Sequence, residues 1–341
     1  MGQLHFEIGR WSPEENHNRS QMESKEKEIL ELSVRQFQYQ MSQTLANGVN
    51  AIHSRVKLAV EDAPDNLPDP EALNGILENH RKAPGSTPIA AVPNSPTDRM
   101  YDMLTQIQLL ESYIAILTAY CIYNEHPEPY DITDGTQAME FIQAEAKWKN
   151  YVLTGGIVKK LQAYLPLGEA VAYSMKKTVT NADIHAELLS ALFGGFGFTK
   201  AVMTELDSIL TNVASTLKGI SLKFEKINQT MNHLISYYYF ETVPGTGGGE
   251  GQPPAMYQVV NRLFFLKINQ KSWKVTIMKS SVSHFSFDAN YFDSKAVMNS
   301  SMVGEDKQLI SDSIKRLTKK DTAAINKLVD VKPIKQDPIP A

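Results

Sequence analysis

An apolar period between residues 202 and 238 limits most strongly what this chain can fold into. Its apolar residues recur in alternating steps of four and three, the spacing of one helix face. The stripe consists of Val202, Leu206, Ile209, Val213, Leu217, Ile220, Phe224, Ile227, Met231, Leu234 and Tyr238. It predicts a helix of about five heptads, roughly 55 Å long. The aromatic residues 237–240 would end it, as a packed terminus or an interaction surface.

A helix of that length has to pack along others of similar length. The segment from Ser20 to Glu61 is the natural mate, because its apolar residues also recur at three- and four-residue steps. Further helices are predicted over residues 95–123, 133–150, 157–164, 169–177 and 182–192. The sequence therefore predicts a mainly α fold, an elongated antiparallel bundle of long helices with a small β-rich element near the C-terminus.

The composition changes at two places along the chain. Residues 83–98 are rich in proline and small residues, which predicts a linker. Residues 244–254 are rich in glycine and proline, which predicts a flexible loop. Beyond it, alternating β-branched and aromatic residues predict strands at 257–268 and 272–279, with a third at 282–287. Short helices are expected at 305–317 and 322–329.

These patterns divide the chain into five parts. The predicted organisation is a flexible N-terminal segment (1–19), a long-helix bundle with an apolar head near 182–203 (20–240), a Gly/Pro-rich loop (241–256), a β-hairpin or meander with short helices (257–330) and an extended tail (331–341).

The apolar run 188–198 is unusual in composition, with three glycines, three phenylalanines and no charge. One interpretation is a buried helix–turn–helix corner, in which the glycines permit close packing. The other is a concealed membrane-seeking segment. About ten residues are too few to span a bilayer, so insertion would require a hairpin from 182–203 or oligomerised copies, after a conformational change. The candidate membrane-contacting residues are Leu188, Leu189, Leu192, Phe193, Gly194, Gly195, Phe196, Gly197 and Phe198.

No sequence pattern indicates catalysis or cofactor binding. The glycines of the apolar run lack the preceding strand of a dinucleotide-binding loop, and the loop 245–251 lacks the Gly-Lys-Ser/Thr ending of a phosphate loop. The eight histidines show no metal-ligand spacing with each other or with the lone Cys121. The net charge of −4 argues against a nucleic-acid binder. We therefore expect a non-enzymatic protein with no cofactor, metal or nucleic-acid partner.

The expected location follows from the absence of targeting patterns. Residues 1–18 contain no apolar core of a secretory signal, and no stretch reaches the roughly 18–20 apolar residues of a constitutive membrane span. We expect a soluble protein that is secreted or released without a classical signal peptide and then associates with a host membrane. If it is a scaffold, the expected location is the cytoplasm.

Long helices, a late apolar segment containing glycines and the lack of a catalytic motif resemble the α-helical pore-forming toxins of the cytolysin A, haemolysin BL and xenorhabdolysin-like type. The resemblance covers roughly residues 20–240. It implies that 188–198 is a head segment that meets lipid, that 202–238 is a stalk helix, and that the partners are a lipid membrane and further copies or partner toxin subunits.

The β-rich piece at 257–292 has no counterpart in that family, which favours a component of a multi-protein cytolysin over an autonomous pore. The alternative is a non-enzymatic helical scaffold or secretion-associated interaction module without membrane activity. In that case the β-rich region would dock a partner.

Overall fold

The computed structural model describes residues 68–154, 159–167, 171–180, 200, 204, 230–243, 246, 255–269, 284–336 and 338. Seven helices and six strands lie in these residues. In chain order they are α1 (Pro70–Lys82), β1 (Ser86–Val92), α2 (Asp98–Glu125), α3 (Gly135–Thr154), α4 (Lys159–Tyr164), β2 (Val171–Thr180), β3 (Thr230–Thr242), β4 (Tyr257–Asn269), β5 (His284–Val297), α5 (Ser300–Glu305), α6 (Lys307–Thr318), α7 (Thr322–Ile325) and β6 (Lys332–Lys335).

The six strands form one mixed sheet in the order β2-β5-β4-β3-β1-β6. The four strands from β2 to β3 pair antiparallel, whereas β1 pairs parallel with both β3 and β6. Helices α2 and α3 pack on each other, α3 packs on β3 and β1, and α6 packs on α2 and α1. The fold is therefore α/β, and the prediction of an elongated helical bundle with a minor β element is wrong.

The prediction fails where the apolar stripe enters β3. Leu234 and Tyr238, assigned to the long helix, lie in this strand, and every side chain from 233 to 240 is buried. A strand buried on both faces presents a continuous apolar run, in which helical spacing arises without a helix. The aromatic residues 237–240 accordingly lie in a central strand. Residues 205–229 and the predicted helix 20–61 lie outside the described residues.

Strand β1 occupies residues predicted to be a linker, and its Pro88 was the misleading signal. The Val92 carbonyl accepts a hydrogen bond from Gln336 N–H, so even-numbered residues of β1 direct their backbone groups towards β6. Pairing with β6 begins only at Ile89–Lys332. Proline at position 88 therefore removes no hydrogen bond of the sheet, which is the condition under which a strand tolerates proline.

Other segments divide into correct and incorrect predictions. The helices at 95–123 and 133–150 and the strand at 257–268 are confirmed as α2, α3 and β4, and the strand at 282–287 lengthens into β5. The side chain of Asp134 accepts hydrogen bonds from the N–H groups of Thr136 and Gln137 at the start of α3. The predicted helix 169–177 is wrong because these residues enter β2, and the tail predicted to be extended contributes β6.

The sheet continues well past the helices at one end. Of the described helices, α3 makes the main contacts with the sheet, and these are with β3 and β1. The core residue Leu234 lies in register with Phe265, which pairs with Phe292. From Phe292, β5 continues to His284, about 26 Å at 3.3 Å per residue. Strand β2 runs beside it, with Thr180 opposite His284. We call residues 173–180, 230–233, 266–269 and 284–291 the sheet extension.

Candidate functional site

Glu145 of α3 is the centre of a buried polar cluster that joins α1, α3 and the start of β1. Its Oε1 lies 2.8 Å from His80 Nδ1 and accepts a hydrogen bond of 2.6 Å from Ser86 Oγ. Its Oε2 accepts a hydrogen bond of 2.8 Å from Gly85 N–H. We call these residues the Glu145 cluster. Since a carboxylate only accepts hydrogen bonds, His80 carries its proton on Nδ1.

The Glu145 carboxyl is ionised despite its burial. Burial by itself would raise its pKa, but the His80 charge and the hydrogen bonds from His80, Ser86 and Gly85 outweigh burial and hold the pKa below its ordinary value. Gly85 is required by the same packing, because a Cβ at this position would lie 2.3 Å from the Ile142 carbonyl oxygen. The carboxylate thus anchors a chain segment that only glycine allows to approach α3 so closely.

A second cluster lies one turn further along α3. Lys149 Nζ donates to Glu111 Oε2 at 2.8 Å, and the Tyr238 hydroxyl donates to Glu111 Oε1 at 2.7 Å. The Lys149 and Glu111 side chains are 2% and 0% exposed. Burial, reinforced by the Glu111 charge, raises the pKa of Tyr238 well above its ordinary value, so this phenol stays neutral and donates. These three residues, the Glu111 cluster, connect α2, α3 and β3.

The two clusters face a small cavity. Its lining consists of His80, Ser86, Glu145 and Lys149 together with Ile76, Leu77, Ala115, Thr118, Ala119, Ile122, Phe141 and Val329. The interior has room for about one water molecule. Binding sites for organic ligands are far larger, so this cavity does not admit a substrate.

Ser86, His80 and Glu145 have the residue types of a hydrolase triad but a different connectivity. In a triad the histidine lies between serine and carboxylate and takes the serine proton. Here Ser86 Oγ donates directly to Glu145, the acceptor that also engages His80, and Ser86 is only 2% exposed. The arrangement satisfies a buried carboxylate and does not activate a nucleophile.

His233 of β3 points to the face of the sheet opposite that of its neighbour Leu234, which lies in the core on the same face as Ser86. Neighbouring residues of a strand point to opposite faces. His233 is fully buried, and its Nε2 is 3.1 Å from Thr87 Oγ1. Within the part of the chain that the structure describes, its Nδ1 has no hydrogen-bond partner. Desolvation lowers the pKa of His233 to about 4, although the Glu145 charge opposes the shift. The ring is therefore neutral at pH 7.

Sequence reasoning missed both clusters, although one signal was available. Glu111 is the single charge within the apolar stretch 107–123, and a charge in a fully enclosed helix requires a buried partner. The identity of that partner was not readable, because Lys149 and Tyr238 are 38 and 127 positions away. The histidines were considered only as metal ligands, whereas His80 pairs with a carboxylate.

The predicted membrane-contacting residues 188–198 lie outside the described residues, but the strands before and after them are described. Strand β2 ends at Thr180 and β3 begins at Thr230, both in the sheet extension. The connection 270–283 also leaves from and returns to this end, at Asn269 and His284. Among the described helices, none is both long and apolar enough to cross a membrane.

No protein-family model matches the chain, and no curated protein matches it. Among solved structures, the chain has a likeness to the Evf virulence factor, with a TM-score of 0.40 and 12% identity over 69% of this chain and 78% of that chain.

Proposed function

We propose that the protein is a non-enzymatic, membrane-directed component of a toxin or other virulence system, and that the apolar run 188–198 is the part that contacts lipid. The observation that carries the proposal is the position of the strand ends on either side of this run. Thr180 and Thr230 both lie in the sheet extension, away from the helices that pack on β3 and β1.

This position matters because the chain leaves the sheet towards the apolar run, and returns from it, at the end of the strands away from α3. Strands β2 and β3 are three strand spacings apart, about 14 Å. The two strands that flank residues 181–229 are therefore held close together in one sheet. Burial of apolar surface stabilises by about 25 cal/mol per Å² whether the cover is protein or lipid, so one cover can replace the other.

The polar clusters support the non-enzymatic part of the proposal. Glu145 and Glu111 are satisfied by donors from the protein, and the cavity between them holds about one water molecule. A run of about ten residues does not cross a bilayer, so permeabilisation would require several copies of the chain or partner subunits.

Dye release from liposomes tests the proposal. Phe193→Asp with Phe196→Asp should abolish release, because two carboxylates oppose burial in lipid. Tyr101→Asp is the matched control, since Tyr101 is 56% exposed on α2 and outside the run. The proposal is wrong if the wild type releases no dye at any pH or with any partner fraction, or if the double variant matches the wild type.

A partner-docking function is the second candidate, and strand β2 favours it. Within the described residues, β2 lies at an edge of the sheet and pairs on one side only, with β5. An edge strand of ten residues can accept an additional strand from another protein.

Proline scanning of β2 distinguishes this function from membrane binding. Successive N–H groups of a strand point alternately to its two sides. Of the variants Ser174→Pro and Met175→Pro, one therefore removes an N–H group directed at β5, and the other removes an N–H group directed at the free edge of β2. We call the second of these the outward variant. Docking predicts that the outward variant loses a partner in pull-downs while its unfolding midpoint changes little. Equal partner capture by the outward variant and the wild type would exclude docking at β2.

A further inference from the structure

The C-terminal end of α6 carries a compact group of cations. We propose that this basic cluster, residues Lys315, Arg316, Lys319 and Lys320, binds the headgroups of anionic lipids. The site is separate from the apolar run, and its chemistry is electrostatic adsorption, not insertion.

The local charge supports this inference. Residues 307–335 contain eight lysines and arginines and three aspartates, a net charge of +5, whereas the whole chain has a net charge of −4. The chain as a whole therefore does not attract an anionic surface, and attraction requires a concentrated patch. Clusters of four or more cations on an amphipathic helix are typical of binding to anionic lipids.

Three lysines of this cluster are exposed to solvent. Lys315, Lys319 and Lys320 are exposed, and in the described part of the chain none of their ammonium groups forms an ion pair. Several cations on other elements do have carboxylate partners: Arg81 and Lys82 with Glu78, Lys147 with Glu125, and Lys295 with Glu241. The ammonium groups of the basic cluster are thus available to an external anion.

The helix that carries the cluster also presents an apolar group beside it. Leu309 and Arg316 are seven residues apart, which places them along one side of α6, and Lys319 and Lys320 follow directly after the end of the helix at Thr318. Leu309 is 51% exposed, whereas Ile310 and Ile314 on the other side are buried in the core. An aliphatic side chain next to cations suits the boundary between headgroups and acyl chains. Nucleic-acid binders instead combine cations with stacking aromatic residues, which the exposed side of α6 lacks.

Cations near a helix C-terminus also stabilise the helix through its dipole. Lys319 is the residue at which this structural role and ligand binding can be told apart. Its backbone is left-handed, with φ of 56°, and it is the only non-glycine residue with positive φ among those described. Glycine is the residue that suits this position best. The left-handed backbone therefore gives no conformational reason for a lysine at this position.

Flotation of the full-length protein with vesicles tests the inference. Vesicles of phosphatidylcholine alone are compared with vesicles that also contain phosphatidylserine, at low and at high salt. The wild type should float only with phosphatidylserine and should be released by salt. Lys315→Gln with Lys320→Gln should weaken binding about tenfold or more. Lys147→Gln with Lys295→Gln, which changes the net charge equally, should leave binding within about twofold.

Lys319→Gly provides the second readout. It should raise the unfolding temperature and at the same time weaken binding to phosphatidylserine vesicles, a combination that a purely structural lysine does not produce. Binding that is equal in all variants, binding that ignores phosphatidylserine, or binding to a single-stranded RNA oligonucleotide without binding to vesicles would each overturn the inference.

The flotation and dye-release assays together distinguish lipid binding by the basic cluster from lipid contact by the apolar run. If only the basic cluster binds lipid, the Phe193→Asp, Phe196→Asp variant floats with phosphatidylserine vesicles like the wild type, and neither protein releases dye. If only the apolar run acts on lipid, the Lys315→Gln, Lys320→Gln variant floats like the wild type, and dye release still depends on Phe193 and Phe196.

Discussion

The two ends of the same strands lie in different surroundings. At the helix-covered end, residues 234–240 of β3 and 259–263 of β4 are packed with α2 and α3, and buried charges connect the layers. At the other end, the sheet extension continues for about 26 Å past Leu234 by strand pairing, and the segments 181–229 and 270–283 leave from it. The described core and its buried charges therefore lie at one end, while the segment proposed to meet lipid is attached to the other.

Breaking the buried ion pair should have the largest effect on this contrast. Lys149→Met leaves the Glu111 carboxylate buried without its cation, and we expect the free energy of unfolding to fall by about 3–5 kcal/mol. Urea denaturation measures the change. The variant that combines Lys149→Met with Glu111→Leu and Tyr238→Phe should recover most of the loss. If Lys149→Met is as stable as the wild type, the helix-covered end does not depend on its charges.

A fall in pH should have the second-largest effect, and it should destabilise the helix-covered end. The pKa of His233 is about 4 in the folded protein and ordinarily 6.5, so the folded state binds fewer protons between these values. Stability should therefore be complete above pH 6.5 and decline as the pH falls towards 4, by about 3 kcal/mol in total. The lowered pKa of Glu145 adds a further loss below its ordinary 4.5, as that carboxylate is protonated.

Chemical denaturation at several pH values tests this prediction. His233→Gln should flatten the stability profile between pH 6.5 and 4, whereas His126→Gln, at a ring that is not fully buried, should leave it unchanged. An unchanged profile in His233→Gln would assign the acid sensitivity to other groups.

Alanine substitutions at two glycines should have smaller effects on stability, and the two effects should have opposite signs. Gly85→Ala places a Cβ against the Ile142 carbonyl, and the resulting displacement should cost about 1–3 kcal/mol. Gly75→Ala in the middle of α1 meets no atom within 4 Å and should stabilise by about 0.5–1 kcal/mol. Thermal unfolding of both variants measures the difference. Equal effects would mean that the segment joining α1 to β1 tolerates movement.

Lys319→Gly should have the smallest effect on stability, because it changes a helix end outside both regions. Relief of the left-handed backbone should raise the free energy of unfolding by up to about 1 kcal/mol. Thermal unfolding checks the sign, and a decrease would indicate that the Lys319 side chain stabilises the end of α6.

Elements whose signals are local were predictable from the sequence. Helices α2 and α3 have long periodic apolar faces, and β4 has the alternation of a strand. Strand β3 was not predictable, because burial on both faces removes the alternation that distinguishes a strand from a helix. Strands β1 and β6 were missed because they exist through pairing with residues 234–238 and with each other, far apart in the chain.

The amino-acid sequence by itself determined the positions of the long middle helices and of β4, and the presence of an uncharged, glycine-containing run at 188–198. These properties depend on residues a few positions apart. Only the tertiary structure decided that the apolar stripe ends in a strand, that Glu111 meets Lys149, and that Thr180 and Thr230 lie at one end of a sheet. The physical reason is that pairing and burial join residues that are distant in the chain, and neither periodicity nor composition encodes which ones will meet.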